Sequence, residues 1–212
     1  PVSRLFWSEL ILDLGEGQTL GLVGFGNIGR DISAITRPLD MRHVAHDPFA
    51  SPGQAAELGV ELLPLDDLLR QSDFVIICCS LVPETRHLIN AARLALMKPT
   101  SYLINVARGP IIDQAALTAA LKSQSIAGAA LDVFEQEPIA PDDPLLVLDN
   151  VILAPHAICW TDELFLGNGR AACQSILAVA AGQTPTHIVN RPVLEVPALR
   201  EKLAKYRAAT RT

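Results

Sequence analysis

Short apolar runs alternate along this chain with segments whose apolar residues recur at helical spacing. The runs at 20–24, 43–46, 73–79, 101–105, 127–131 and 151–153 have the length and composition of buried strands. Between and after them the spacing predicts helices over 27–37, 65–71, 113–122 and 161–181, with Asp113 and Thr161 as N-caps of the last two. On the first of these helices Ile28, Ile32 and Ile35 are expected to share the buried face. Alternation of this kind predicts an α/β fold, a doubly wound parallel sheet covered on both faces. Ligands on such sheets sit at the carboxyl ends of the strands. Asp47, Ser80, Arg108, Asp132 and His156 each fall just past a predicted strand, so one crevice is expected to collect them.

The two ends read differently. A helix-like piece at 4–14 precedes Gly15 and Gly17. After the turn-rich run Gln183-Thr184-Pro185-Thr186, the stretch 195–209 predicts a basic amphipathic helix with a solvated face. We expect a domain over 1–183, with its core at 18–182, and a separate terminal segment over 184–212.

Composition narrows the class. Half of the 212 residues are hydrophobic, enough for a substantial core, and a formal net charge of −6 without a basic run argues against nucleic acid as a partner. No apolar run has the length of a bilayer span, and no signal peptide is evident, so no membrane partner is expected. Cys78, Cys79, Cys159 and Cys173 form no C-x-x-C and no metal spacing. Cys78 and Cys79 lie in an apolar run and are read as core packing; a reducing cytoplasm and no metal are expected.

The stretch Thr19-Leu20-Gly21-Leu22-Val23-Gly24-Phe25-Gly26-Asn27-Ile28-Gly29-Arg30 adds a ligand to the picture. A predicted strand runs into Gly-x-Gly-x-x-Gly and on into a predicted helix. Gly24 permits the tight turn, Gly26 lets backbone approach a pyrophosphate, and Gly29 lets helix and strand pack closely. The helix start offers unpaired N–H groups and a positive dipole end. The second strand ends at Asp47, where a carboxylate is placed to accept hydrogen bonds from an adenosine ribose. A carboxylate there repels a 2′-phosphate, and Pro48 and Phe49 offer no cation, so NAD is favoured over NADP.

Three further segments bear on a reaction. Ile104-Asn105-Val106-Ala107-Arg108-Gly109 puts an arginine past a strand, suited to gripping a carboxylate in bidentate fashion. Ala130-Leu131-Asp132-Val133-Phe134-Glu135-Gln136-Glu137-Pro138 supplies carboxylates, and Leu153-Ala154-Pro155-His156 a histidine. A histidine beside a carboxylate can move a proton. Taken singly, each has a plainer explanation: a loop histidine, a surface carboxylate, a structural ion pair. Glu135 is read as a surface carboxylate, and His43, His46, His87 and His187 as structural.

These segments, with Pro83-Glu84-Thr85-Arg86-His87-Leu88-Ile89-Asn90, Met97-Lys98-Pro99 and Thr161-Asp162-Glu163, resemble the D-isomer-specific 2-hydroxyacid dehydrogenases from about residue 18 to about residue 192. The resemblance implies a Rossmann-type NAD-binding domain and a reductase of small 2-oxo acids. It implies that Arg108 binds the substrate carboxylate, that His156 is the general acid, and that Glu137 pairs with it. Gly24, Gly26, Asn27, Ile28, Gly29, Asp47, Ser80, Ala107 and Asp132 are the expected cofactor contacts, with Asp132 on the nicotinamide carboxamide. It also implies a homodimer formed through the NAD-binding domain. Pro155-His156-x-x-x-Trp160-Thr161 is closer to the glyoxylate and hydroxypyruvate reductases, and Glu137 disfavours formate oxidation, whose branch carries Gln there. Trp160 is a candidate pocket wall or a packing residue.

Departures from the pattern are Cys78 and Ser80, where His and Pro are usual, and Pro110 after Gly109. The largest is the shortness of sequence before the glycine loop, where family members carry most of a second, substrate-closing domain. Most of that domain is expected to be absent, with an exposed apolar patch in its place and doubtful activity for the chain alone. A competing reading is an NAD(H)-sensing binding module similar to the dehydrogenase-like transcriptional corepressors, which keep the same Arg, Glu and His.

Overall fold

A computed structural model describes residues 17–209. The helix expected at 4–14 lies outside the described residues. Two compact units divide the chain, one ending at Ile158 and one beginning at Cys159.

The first unit is built on a seven-stranded sheet in the order β3-β2-β1-β4-β5-β6-β7, every neighbouring pair parallel. Its strands are β1 (Thr19–Val23), β2 (Arg42–His46), β3 (Val60–Leu62), β4 (Phe74–Ile77), β5 (Tyr102–Asn105), β6 (Gly128–Leu131) and β7 (Val151–Leu153). Helices α1 (Asn27–Thr36), α2 (Pro52–Glu57), α3 (Leu65–Gln71), α4 (Ala91–Leu94) and α5 (Gln114–Lys122) connect them. This is the doubly wound Rossmann-type arrangement. Strand order reverses at β1, whose last residue, Val23, pairs with His46 on one side and Ile77 on the other. A crevice therefore opens past the carboxyl end of β1.

The central strands are continuous apolar runs because they are covered on both faces. Val23, Val75, Ile77 and Leu103 pack with Leu117 and Leu121 of α5 in one buried cluster. Leu20, Leu22, Phe25, Ala45 and Val60 form another, against which Ile32 of α1 rests. Asp113 caps α5 by accepting the Ala116 N–H at 3.0 Å, as its sequence position predicts.

Sequence and structure part in three places. Strand β3 was not anticipated: of its residues Val-Glu-Leu only Val60 is buried, and an edge strand this short has no readable period. The short helices α2 and α4 escaped for the same reason; α4 is a single turn capped by Asn90. The face of α1 is also corrected. Ile28 and Ile35 are exposed at 57 % and 76 %, while Gly29 and Ser33 are buried and Ile32 is partly buried. Gly29 sets this rotation: a Cβ there would lie 2.5 Å from the Gly24 oxygen, so the helix meets the sheet through its smallest residue.

The second unit contains α6 (Asp162–Ala180), capped by Thr161 through the Leu164 N–H, a turn at Arg191–Glu195, and the expected basic helix, α7 (Pro197–Ala209). Arg207 donates to the Gly182 carbonyl at 2.8 Å, and Leu203 is buried, so α7 is tied to the turn that ends α6. No residue of α6 is buried; Phe165, Leu166, Ile176 and Leu177 are all exposed. Trp160 lies against Phe165, ring centroids 6.2 Å apart, and is itself exposed.

Candidate active site at the carboxyl ends of the strands

The glycine loop leaves β1 by a turn only glycine fits. Gly24 has φ +102°, and a Cβ on it would lie 2.6 Å from the Cys79 nitrogen. Gly26 differs: among the described residues a Cβ there would meet no neighbouring atom within 4 Å. Gly26 therefore faces open space beside the start of α1. Helix α1 begins immediately after, and Gly26 gives it no side-chain cap. Its first N–H groups, those of Asn27 and Ile28 among them, are left for an external acceptor.

Asp47 closes one side of the loop. Its Oδ2 accepts the Phe25 N–H at 2.8 Å and its Oδ1 the Phe49 N–H at 2.9 Å. A carboxylate offers about four acceptor sites, so two remain. Arg30, which the sequence did not single out, folds back over the loop and donates to the Gly26 carbonyl at 3.3 Å and to Asn27 Oδ1 at 2.6 Å. Arg30 sits one turn into the helix, a position that sequence spacing could have flagged as a cation at the loop. Cys78 donates to the Gly24 carbonyl at 3.1 Å, and burial pushes its thiol up to about 12. The four cysteines are all free. Ser80 is exposed, and its carbonyl accepts the Thr85 hydroxyl.

On the other side of the sheet's midpoint, Asn105 ends β5 fully buried and shapes the turn after it. Its Oδ1 accepts the Ala107 N–H at 3.0 Å and its Nδ2 donates to the Arg108 carbonyl at 3.1 Å. Arg108 is thereby held outward and exposed, its Nη1 on the Ala107 carbonyl at 2.6 Å. Asn105 is a positioning residue of this turn, and its role was not evident from the motif alone.

His156 and Glu137 meet: Nδ1 of the imidazole lies 2.8 Å from Oε2 of the carboxylate. The other carboxylate oxygen accepts the Phe134 N–H at 3.0 Å. Burial pushes the Glu137 carboxyl up, but the hydrogen bonds from His156 and Phe134, with the charges of His156 and Arg108, outweigh it and hold the group below its usual range. Asp132 is buried; its Oδ1 accepts the Ala157 N–H at 2.8 Å and both oxygens lie 3.3 Å from the Ile158 N–H. It thus steadies the turn that follows His156, whose backbone is left-handed at φ +54°.

Glu135, read from the sequence as a surface carboxylate, is part-buried and has two partners. Its Oε1 lies 2.5 Å from His87 Nε2, and its Oε2 accepts the Gln114 N–H at 3.2 Å. The sequence hid this pair because the partners lie far apart in the chain. Among the described residues no group of three or more His, Cys, Asp or Glu is placed to hold a metal ion, and no helix is long and apolar enough to cross a membrane.

Comparison with known proteins matches residues 7–157 to the family described as D-isomer specific 2-hydroxyacid dehydrogenase, NAD binding domain. The chain is 44 % identical over 180 residues to a glyoxylate reductase of Korarchaeum cryptofilum, covering 85 % of this chain and 54 % of that relative. Among solved structures, the TT0316 protein from Thermus thermophilus superposes with TM-score 0.77 at 36 % identity, over 82 % of this chain and 54 % of that one. The NAD-complexed D-isomer specific 2-hydroxyacid dehydrogenase from Lactobacillus delbrueckii ssp. bulgaricus superposes with TM-score 0.75 at 30 % identity, over 85 % and 57 %. The chain therefore spans about half the length of the relatives it matches.

Proposed function

Because the chain belongs to the D-isomer specific 2-hydroxyacid dehydrogenase family, as its NAD-binding Rossmann domain, we propose that it serves NAD-dependent hydride transfer between a small 2-hydroxy acid and the corresponding 2-oxo acid. The observation that carries this reading is the His156–Glu137 pair, 2.8 Å apart, with the Arg108 charge acting on the same carboxylate.

NADH, when bound, supplies the hydride. The residues that fit it are the open position at Gly26, the uncapped start of α1 at Asn27 and Ile28, and Asp47 for the ribose. Gly24 and Gly29 keep the loop close to the sheet. Asp47 with Pro48 and Phe49 after it favours NAD over NADP; equal or tighter NADPH affinity in a binding titration would refute that preference. Ser80 and Ala107 are further proposed cofactor contacts, and Asp132 is proposed to hold the nicotinamide carboxamide.

With Nδ1 engaged by Glu137, Nε2 of His156 is the nitrogen that gives a proton to the substrate oxygen and takes it back in the reverse direction. Glu137, held ionised, orients the imidazole and fixes which nitrogen faces the substrate. Arg108 grips the substrate carboxylate and stabilises the negative charge that develops on the carbonyl oxygen. Glyoxylate and hydroxypyruvate are the proposed substrates, supported by relatives named glyoxylate reductase. A homodimer through this domain and a reducing cytoplasmic setting complete the proposal; sedimentation of a clean monomer at micromolar concentration counts against the dimer.

The test is NADH oxidation with glyoxylate and with hydroxypyruvate, beside Arg108→Ala. Turnover that falls below detection in the variant is the expected result. Turnover that survives Arg108→Ala unchanged removes Arg108 from its role.

A further inference from the structure

A second histidine–carboxylate pair stands beside the first. His87 Nε2 lies 2.5 Å from Glu135 Oε1, and Glu135 is only two residues before Glu137. The proposed reaction makes no use of this pair, yet its contacts join the turn after Arg108, the segment before Glu137 and the start of α5.

Through its backbone, His87 donates to the Pro110 carbonyl at 2.9 Å, on the turn Gly109–Ile111 that follows Arg108. His87 also holds a left-handed backbone, φ +49°, a conformation that is strained for a non-glycine residue and persists only where its surroundings fix it. Through its side chain it reaches Glu135. That carboxylate is anchored a second time, by the N–H of Gln114 at the start of α5, and the Glu135 N–H donates to Gln114 Oε1 at 3.0 Å. Gln114 Nε2 in turn donates to Asp143 Oδ2 at 2.8 Å.

The two segments so joined also touch directly. A Cβ on Gly109 would lie 1.8 Å from the Phe134 oxygen, so the backbone after Arg108 runs against the backbone before Glu135 with no room for a side chain. Phe134 then supplies the N–H that holds Glu137 Oε1. Glu137 takes its other hydrogen bond from His156 and, among the described residues, none from a helix or strand. Its position is therefore borrowed from the segment Phe134–Glu135.

We propose that His87 and Glu135 are positioning residues: together they fasten the Arg108 turn and the Glu137 segment to each other and to the start of α5, and so set the placement of Glu137 on His156. The inference rests on the reading of His156 and Glu137 given above, and its test separates the two.

The Glu137 carboxyl is followed by carbon NMR titration, assigned with Glu137→Gln, alongside steady-state turnover of 2-oxo acid and NADH affinity by fluorescence. His87→Asn suits the left-handed backbone but stops short of Glu135; His87→Gln places an N–H where Nε2 stood. His87→Asn is expected to move the Glu137 titration up toward the ordinary carboxylate range and to lower kcat by roughly tenfold to a hundredfold, with KM and NADH affinity changed by less than about threefold. His87→Gln is expected to restore both. An unmoved titration and unmoved kcat in a folded His87→Asn overturn the proposal, and so does failure of His87→Gln to restore them. If His87→Asn loses NADH binding through misfolding, Glu135→Gln, which keeps an acceptor for Gln114, carries the same comparison. If the unaltered chain turns over no 2-oxo acid, the reading of the reaction fails for this chain while the titration alone still decides the positioning role.

Discussion

The two histidine–carboxylate pairs differ in what holds the carboxylate. Glu135 is fixed between His87 and the first N–H of α5, a regular element capped in its own right by Asp113. Glu137 is held by His156 and by the N–H of its own turn at Phe134. The first arrangement is a brace and tolerates a fixed geometry. The second leaves the imidazole's Nε2 uncommitted to the carboxylate and lets the carboxylate answer to the charge on its histidine. Chemistry needs the second kind of pair, and precision in the second kind has to be supplied from elsewhere. Both histidines have left-handed backbones, at φ +49° and +54°, so strain alone does not separate a brace from a reacting group. The hydrogen-bond partners of the carboxylate do.

The largest effect that would break this comparison is at His156. His156→Asn keeps a side chain compatible with positive φ and removes the proposed proton donor. Turnover of 2-oxo acid is expected to fall by roughly a hundredfold to ten-thousandfold, with NADH affinity unchanged. A smaller loss than that of His87→Asn would reverse the roles assigned to the two pairs.

Glu137→Gln is expected to act next. The Glu137 carboxyl is held below its ordinary value in the folded protein, so it contributes stability above its unfolded value, about pH 4.3, and that contribution is lost as pH falls through the folded value. Thermal unfolding followed from pH 6 to pH 3 is expected to lose this component in Glu137→Gln, while turnover at neutral pH drops severalfold or more. An unchanged acid limb in the variant would mean that the His156 contact does not hold the carboxylate ionised.

Arg30→Ala sharpens the comparison from outside it. The guanidinium covers Gly26 and Asn27, so its loss is expected to weaken NADH binding by roughly threefold to tenfold through one charge-assisted contact. The Glu137 titration is expected to stay where it was. A shift there would tie the cofactor loop to the acid–base pair more tightly than any contact described above.

Much of this was legible in the chain. Strand and helix positions followed from alternating apolar runs, because a parallel sheet buried on both faces leaves long unbroken apolar signals. The glycine loop was legible because its spacing encodes steric demands, and Gly24 and Gly29 meet them. What stayed hidden has two causes. Val60–Leu62 and Ala91–Leu94 are too short to show a period. The His87–Glu135 contact joins residues 48 apart in sequence, and neither has a local pattern that names the other. The face of α1 was misjudged for a further reason: the isoleucines suggested a stripe, but close approach at Gly29 turned Ile28 and Ile35 outward. An apolar stripe reports burial only where no backbone contact sets the rotation first.

A third histidine shows what the carboxylates change. His43, on β2 and facing α1, is 6 % exposed, with Nε2 at 3.1 Å from the Thr36 hydroxyl and Nδ1 at 3.5 Å from that of Ser33. The Thr36 hydroxyl already donates to the Ile32 carbonyl, so it accepts from Nε2, and the ring sits neutral among hydroxyls with no anion beside it. Burial, and then the charge of Arg37, hold its imidazole below the ordinary value. The folded form therefore resists the proton, and the associated stability is complete above the unfolded value, about 6.5, and lost as pH falls toward the folded one. Urea unfolding between pH 7.5 and pH 5 is expected to show stability declining on acidification, with His43→Gln removing that slope at a constant cost of about 1–2 kcal/mol from disturbed packing. A slope that survives in His43→Gln would assign the decline to other groups. A decline that steepens in His43→Gln would mean that the folded form favours the proton on His43, and the contrast with the two carboxylate pairs would be lost.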